Sequence, residues 1–155
     1  MKKIMVVGIG NLLMRDDGVG VHAIRQLEEL GLPEEIGLID GGTHSYDLVD
    51  IFCEANKIII VDAMQAGGEP GTIYRAPLEE LGLKEEASDC ISLHQLHFID
   101  AMHMVNLLGH QPQAIVFGVE PAAVELGLEL SPEVTKKMPR LIELIQIEIQ
   151  NLMSS

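Results

Sequence analysis

Aromatic residues make up only 3% of this 155-residue sequence, tryptophan is missing altogether, and the only cysteines are Cys53 and Cys90. With so few rings, the core must be built of Ile, Leu, Val, Met and Ala, the profile of an α/β protein with small β-branched strands. Two cysteines give no disulfide framework, which points to a reducing, cytoplasmic setting. Basic residues are scarce too: 10 Lys and Arg against 24 Asp and Glu leave a formal charge of −14. That balance argues against nucleic acid as a partner, since phosphate binding needs clustered Lys and Arg, and against an anionic membrane surface. A cationic peptide or a metal ion would be attracted. No apolar run approaches the roughly 20 residues that span a bilayer, so no membrane insertion is expected. The opening MKKIMVVGIGNLLM has the lysines and apolar stretch of a signal peptide. It lacks a small-residue cleavage site and runs into a Gly-x-Gly turn, so it reads as a first strand. The length suits one domain over residues 1–155.

What is present is a regular alternation of elements. KKIMVVGIG is apolar at successive positions, as a strand buried on both faces of a parallel sheet would be. Val21, Ile24, Leu27 and Leu30 then recur at helical spacing. EEIGLIDGGT reads as a second strand, SYDLVDIFCEA as a helix and KIIIVDAM as a third strand. A turn and a strand over Thr72–Arg75 follow, then a short acidic segment and the helix SLHQLHFIDAMHMVNLLG, ended by Gly109. QAIVFGVEP is a fifth strand. The chain closes on a long helix with Ser131 as N-cap, Pro132 at its first position and a kink expected at Pro139. This order implies a three-layer α/β/α sandwich around a mostly parallel sheet.

Such sheets place functional groups beyond the carboxyl ends of their strands, where strand order reverses. Asp17 follows the first strand, Asp40 closes the second and Asp62 the third. With the second and third strands on opposite sides of the first, Asp17 and Asp62 flank the reversal point. Ser92-Leu93-His94-Gln95 fits a capping box, which sets His94 in the first turn of its helix. The positive end of a helix disfavours imidazolium, and neutral imidazole is a metal ligand. Two carboxylates and one imidazole make a mixed N/O site with open positions. Each residue also has a plainer role: Asp16 or Asp17 as a helix cap, Asp40 as a turn former, His94 as a surface histidine. Asp62 is harder to explain away, since a carboxylate directly after Ile-Ile-Ile-Val is costly unless paired, coordinated or exposed. His94 and His97 form a rival H-x-x-H pair without a supporting carboxylate, and a Cys90 nucleophile lacks an orienting group.

GIGNLLMRDDGVGV, DGGT at 40–43, IIIVDAM at 58–64, PGTIYR at 70–75, SLHQL at 92–96 and FGVEP at 117–121 together resemble the endopeptidases that mature nickel–iron hydrogenases. The resemblance covers nearly the whole chain. It implies a phosphorylase/hydrolase-like sandwich whose five-stranded mixed sheet has the order 2-1-3-5-4, strand 4 antiparallel. It further implies removal of a C-terminal extension from the hydrogenase large-subunit precursor after nickel insertion. Metal-gripping positions carry over to Asp17, Asp62 and His94, with Asp17 replacing the glutamate of some members and Leu93 a proline. The nickel would be carried by the substrate, with cadmium or zinc as stand-ins in vitro. Asp17 and Asp62 are then the catalytic candidates. Asp40, Gly41, Gly42, Thr43 and Glu120 are candidates for holding the precursor's extended C-terminal region.

The chemistry would be metal-assisted, through a polarised carbonyl or activated water, or aspartic-type, with a carboxylate as general base. A non-catalytic nickel carrier would use the same ligands. A dinucleotide-dependent oxidoreductase with Asp40 on a ribose is disfavoured by Leu13, which stands where G-x-G-x-x-G needs its third glycine, and by the negative loop. A plain interaction module is the remaining reading, and it makes Asp17 and His94 dispensable except for stability.

Overall fold

The computed structural model describes residues 4–42, 46–81 and 93–154, and within them all side chains except those at 46, 47, 81 and 93–97. Five strands form one sheet in the order β2-β1-β3-β5-β4: β1 Ile4–Ile9, β2 Ile36–Gly42, β3 Lys57–Ala63, β4 Ile73–Pro77 and β5 Gln113–Val119. β1 pairs in parallel with both β2 and β3, β3 in parallel with β5, and β4 antiparallel with β5. The expected order and the single antiparallel strand are both present. β4 runs from Ile73 to Pro77 rather than over Thr72–Arg75, and its proline is tolerated because the strand is an edge.

The helices are α1 Val19–Leu30, α2 Tyr46–Cys53, α3 Leu78–Leu81, α4 Leu93–Leu107 and α5 Pro132–Met153. A 3-10 turn over Arg15–Gly18 precedes α1. Strand residues alternate between two cores, as a period of two requires. Ile4, Val6, Ile59 and Val61 face α1 and α5, where Ala23, Ile24 and Leu27 meet Val134, Leu141 and Ile145. Met5, Val7, Ile58 and Ile60 face α2 and α4, against Leu48, Phe52, Phe98, Met102 and Val105. Buried Phe98, Ala101, Met102 and Val105 lie at i, i+3, i+4 and i+7, one stripe of α4.

Helix ends follow local chemistry. Gly31, with φ +71°, ends α1, and Gly109, with φ +93°, lies just beyond α4. Ser131 caps α5 as expected, its Oγ accepting from Val134 N–H at 3.3 Å. That helix continues through the exposed Pro139 to Met153.

The direction of α4 matters for the site. Just beyond α4, His110 Nε2 donates to Ala55 O at 2.7 Å, beside the start of β3. At 15 residues, α4 is about 22 Å long, matching the roughly 23 Å of a seven-residue strand. Its first turn therefore returns to the carboxyl edge of the sheet, where β1 and β3 end.

Candidate active site

Glycines bring the loop after β1 down onto that edge. A Cβ on Gly20, in the first turn of α1, would stand 2.1 Å from Val61 O, 2.6 Å from Ile9 O and 2.7 Å from Ile9 N. One on Gly8 would stand 2.2 Å from Gly20 O, and one on Gly10, with φ +126°, 1.9 Å from Asp17 O. These neighbours are backbone atoms, so the first turn of α1 and the 3-10 turn before it rest directly on the strand ends. Asp17 lies in that turn, which packs against β3, and its Oδ2 accepts from Asn11 N–H at 3.0 Å. A phosphate loop would direct such an amide at its ligand; here a carboxylate occupies it.

The two adjacent aspartates have different surroundings. Asp16 is 1% exposed and turned inward. Its Oδ2 accepts from Ala122 N at 2.8 Å, Ala123 N at 2.9 Å and Ser131 Oγ at 2.7 Å, while Oδ1 accepts from Ser131 N at 2.8 Å. Burial alone would raise its pKa, but these donors outweigh that cost and hold the carboxyl below its ordinary value of 3.8. Arg15 adds to the same seam, with Nε donating to Glu129 O at 3.1 Å and Nη1 paired to Glu125 at 3.1 Å. Its φ of +47° is the left-handed conformation, which costs a side-chain-bearing residue about 1 kcal/mol. It is held there by backbone bonds from Arg15 N to Gly127 O and from Gly127 N to Leu13 O. His22 reaches this seam from α1. Burial and nearby Arg25 lower its pKa, opposed by a hydrogen bond at the Leu128 backbone and by Asp16.

Asp62 follows Val61 at the end of β3 and is fully buried, with Oδ1 accepting from Ala63 N–H at 2.8 Å. By alternation it shares a face with Ile58 and Ile60, the α2/α4 side of the sheet. His94 is the second residue of α4, at the same edge and on the same side; its side chain lies outside the described residues. Asp17, Asp62 and the His94 backbone thus lie toward one end of the sheet. The donor types fit a nickel-sized ion, two hard oxygens with one imidazole. Among the described residues no cluster of three or more His, Cys, Asp or Glu could hold a metal.

Asp40 pairs across the sheet with Gly8, is exposed, and accepts from Gly42 N at 3.1 Å. A bulge shifts the register so that Ile9 faces Gly42, and Gly10 N donates to Gly42 O at 2.8 Å. Gly41 and Gly42 are half-buried in this strand end; Thr43, Cys90, Ser92 and the side chain of His97 lie outside the described residues. Glu120, expected to line the cleft, is buried, and its Oε1 accepts from Ala66 N at 2.9 Å, Gly68 N at 3.0 Å and Tyr74 Oη at 2.7 Å. Its visible role is to fasten the turn that follows Asp62. Sequence reasoning passed over the Asp16 seam, whose partners are more than 100 residues away. The only local hint was a second aspartate where one cap would suffice.

Known proteins share this architecture. Residues 21–148 match the family profile described as HycI: Hydrogenase maturation protease. The chain is 34% identical over 149 residues to the hydrogenase expression/formation protein HupD of Thiocapsa roseopersicina, covering 92% of this chain and 65% of that one. It is likewise 34% identical to the HupD protein of Bradyrhizobium diazoefficiens, covering 92% of this chain and 75% of the relative. Among solved structures, the hydrogenase maturating endopeptidase HybD from E. coli superposes with a TM-score of 0.84 at 27% identity, covering 96% of this chain and 93% of that one. The chain belongs to the hydrogenase maturation protease family.

Proposed function

We propose that this protein is the endopeptidase that removes the C-terminal extension of a nickel–iron hydrogenase large-subunit precursor once nickel is in place. Asp17, Asp62 and His94 grip the substrate's nickel, with the reaction taking place in a cytoplasmic setting. The observation that supports this reading is the placement toward one sheet edge of the Asp17 turn, buried Asp62 and the first turn of α4. A carboxylate buried at a strand end, with a second one in the turn that packs on the same strand, supports a cation-binding role. Nickel serves first as a recognition element, because a precursor without it lacks the anchor that holds the scissile bond in place.

Hydrolysis adds hydroxide from water to the scissile carbonyl carbon and returns the proton to the departing amine as the C–N bond breaks. The carboxylate oxygen of Asp17 or Asp62 that does not bind the metal holds that proton between the two steps. Substrate nickel close to the carbonyl would lower the same barrier by polarising it. Both routes use the same residues. Asp40, Gly41 and Gly42 supply backbone and carboxylate groups along the β2 edge for the extended peptide, and Thr43 joins them as a substrate-binding residue. Glu120 acts on this cleft through the 64–71 turn that it holds.

The test is the mass of a precursor purified with and without nickel, after incubation with the protein. Shortening of the nickel-loaded form alone is expected. Equal cleavage of both forms refutes nickel recognition. An unchanged mass for the loaded form refutes proteolysis and leaves a metal carrier.

A further inference from the structure

We propose that Asp16 is a positioning residue for this reaction: its carboxylate fixes where Asp17 stands by fastening the 3-10 turn to the 122–131 segment and to the start of α5. The proposal deepens the reading of Asp17 as a nickel-gripping residue and rests on it.

The geometry favours this role over ordinary packing. Successive residues of a 3-10 turn diverge by about 120°, so neighbouring aspartates must point in different directions. Asp16 points away from the cleft to Ala122, Ala123 and Ser131, and Asp17 stays with Asn11. Ser131 Oγ donates to Asp16 and accepts from Val134 N, so the turn is tied through one hydroxyl to the N-terminus of the longest helix. Asp16 N also donates to Ala123 O at 3.0 Å. Met14, Arg15 and Asp16 are all fastened to this distant segment, and Asp17 is the next residue along. A ligand must hold its geometry to within about 0.5 Å to be useful, and side chains on loops reach that only when their support is fixed. The seam supplies that support to a loop whose closest approaches to the sheet are at glycines.

The 3.0 Å bond from Asn11 N–H to Asp17 makes the Asn11 amide a direct reporter of the Asp17 carboxylate. The experiment is amide NMR of the wild type, Asp17→Asn, Asp16→Asn and Ser131→Ala, together with single-turnover cleavage of nickel-loaded precursor. Asp17→Asn defines the Asn11 signal with the carboxylate removed. In Asp16→Asn the Asn11 signal is expected to move toward that position while β3 and β5 amides stay in place, and cleavage to fall at least 10-fold. Ser131→Ala, which removes one of the four bonds to Asp16, is expected to give a smaller shift in the same direction, and it carries the test if Asp16→Asn does not fold. An unmoved Asn11 amide in the folded variants overturns the proposal, as does a moved amide with cleavage within twofold of wild type. If Asp17→Asn itself cleaves at the wild-type rate, the functional reading of Asp17 fails instead, and the NMR result separates the two.

Discussion

Replacing Gly20 by alanine tests whether α1 must touch the strand ends for the site to exist. In an ordinary helix interior this change adds about 1 kcal/mol of stability, because alanine loses less backbone freedom. Here the new methyl group would lie 2.1 Å from Val61 O, 2.6 Å from Ile9 O and 2.7 Å from Ile9 N. A carbon and a backbone atom need more than 3 Å, so the helix must retreat by about 1 Å, and a forced shift of that kind costs about 1–3 kcal/mol. All three neighbours are backbone atoms of buried parallel strands, so the upper end of the range applies and the clash wins by about 2 kcal/mol. For a chain of this size that lowers the melting temperature by about 4–8 °C. Val61 directly precedes Asp62, and the displaced turn carries Asp17, so cleavage should fall by more than the stability loss explains. Thermal unfolding and precursor cleavage well below the transition measure both effects, with Gln26→Ala on the exposed face of the same helix as control. A Gly20→Ala protein as stable as wild type and fully active refutes the close-approach reasoning.

Other substitutions probe individual contacts. Burial lowers the His22 pKa in the fold, and Nε2 is buried without a hydrogen-bond partner, so the unfolded chain takes up a proton first as pH falls below about 6.5. Stability from this group is therefore complete above that pH and declines below it, and His22→Leu should flatten the decline in urea unfolding between pH 7 and 5. Arg75 Nε lies 2.6 Å from Glu148, whose side chain is only 9% exposed. Arg75→Ala, which strands that carboxylate, should therefore destabilise more than Glu148→Leu by chemical denaturation. Tyr74→Phe removes one of three donors to Glu120 Oε1 and should cost about 2 kcal/mol, read by thermal unfolding.

The positions of β2 and β3 on either side of β1 were legible from the handedness of parallel crossovers, which set Asp17 and Asp62 at the reversal point, whereas the places of β4 and β5 came from the family resemblance. Ser131-Pro132 marked the start of α5 because capping is local chemistry. Nonlocal contacts were not legible. Nothing within a few residues separates Asp16 from Asp17; partners beyond residue 120 decide which one turns inward. Glu120 looked like a cleft residue by its place after β5, whereas the amides at 66 and 68 and the Tyr74 hydroxyl converge on it from another loop. Gly20 was hidden in DDGVGV, because the feature that demands a glycine there is the Val61 carbonyl of a different strand.

The proposed function requires Asp17, Asp62 and His94 to converge on one metal position. Calorimetric titration of the metal-free protein with nickel or cadmium, repeated on Asp17→Asn, Asp62→Asn and His94→Ala, tests it most directly. One site per chain is expected in the wild type, and its loss in each variant. A site that survives any of the three substitutions, or the lack of a one-to-one site in the wild type, contradicts it.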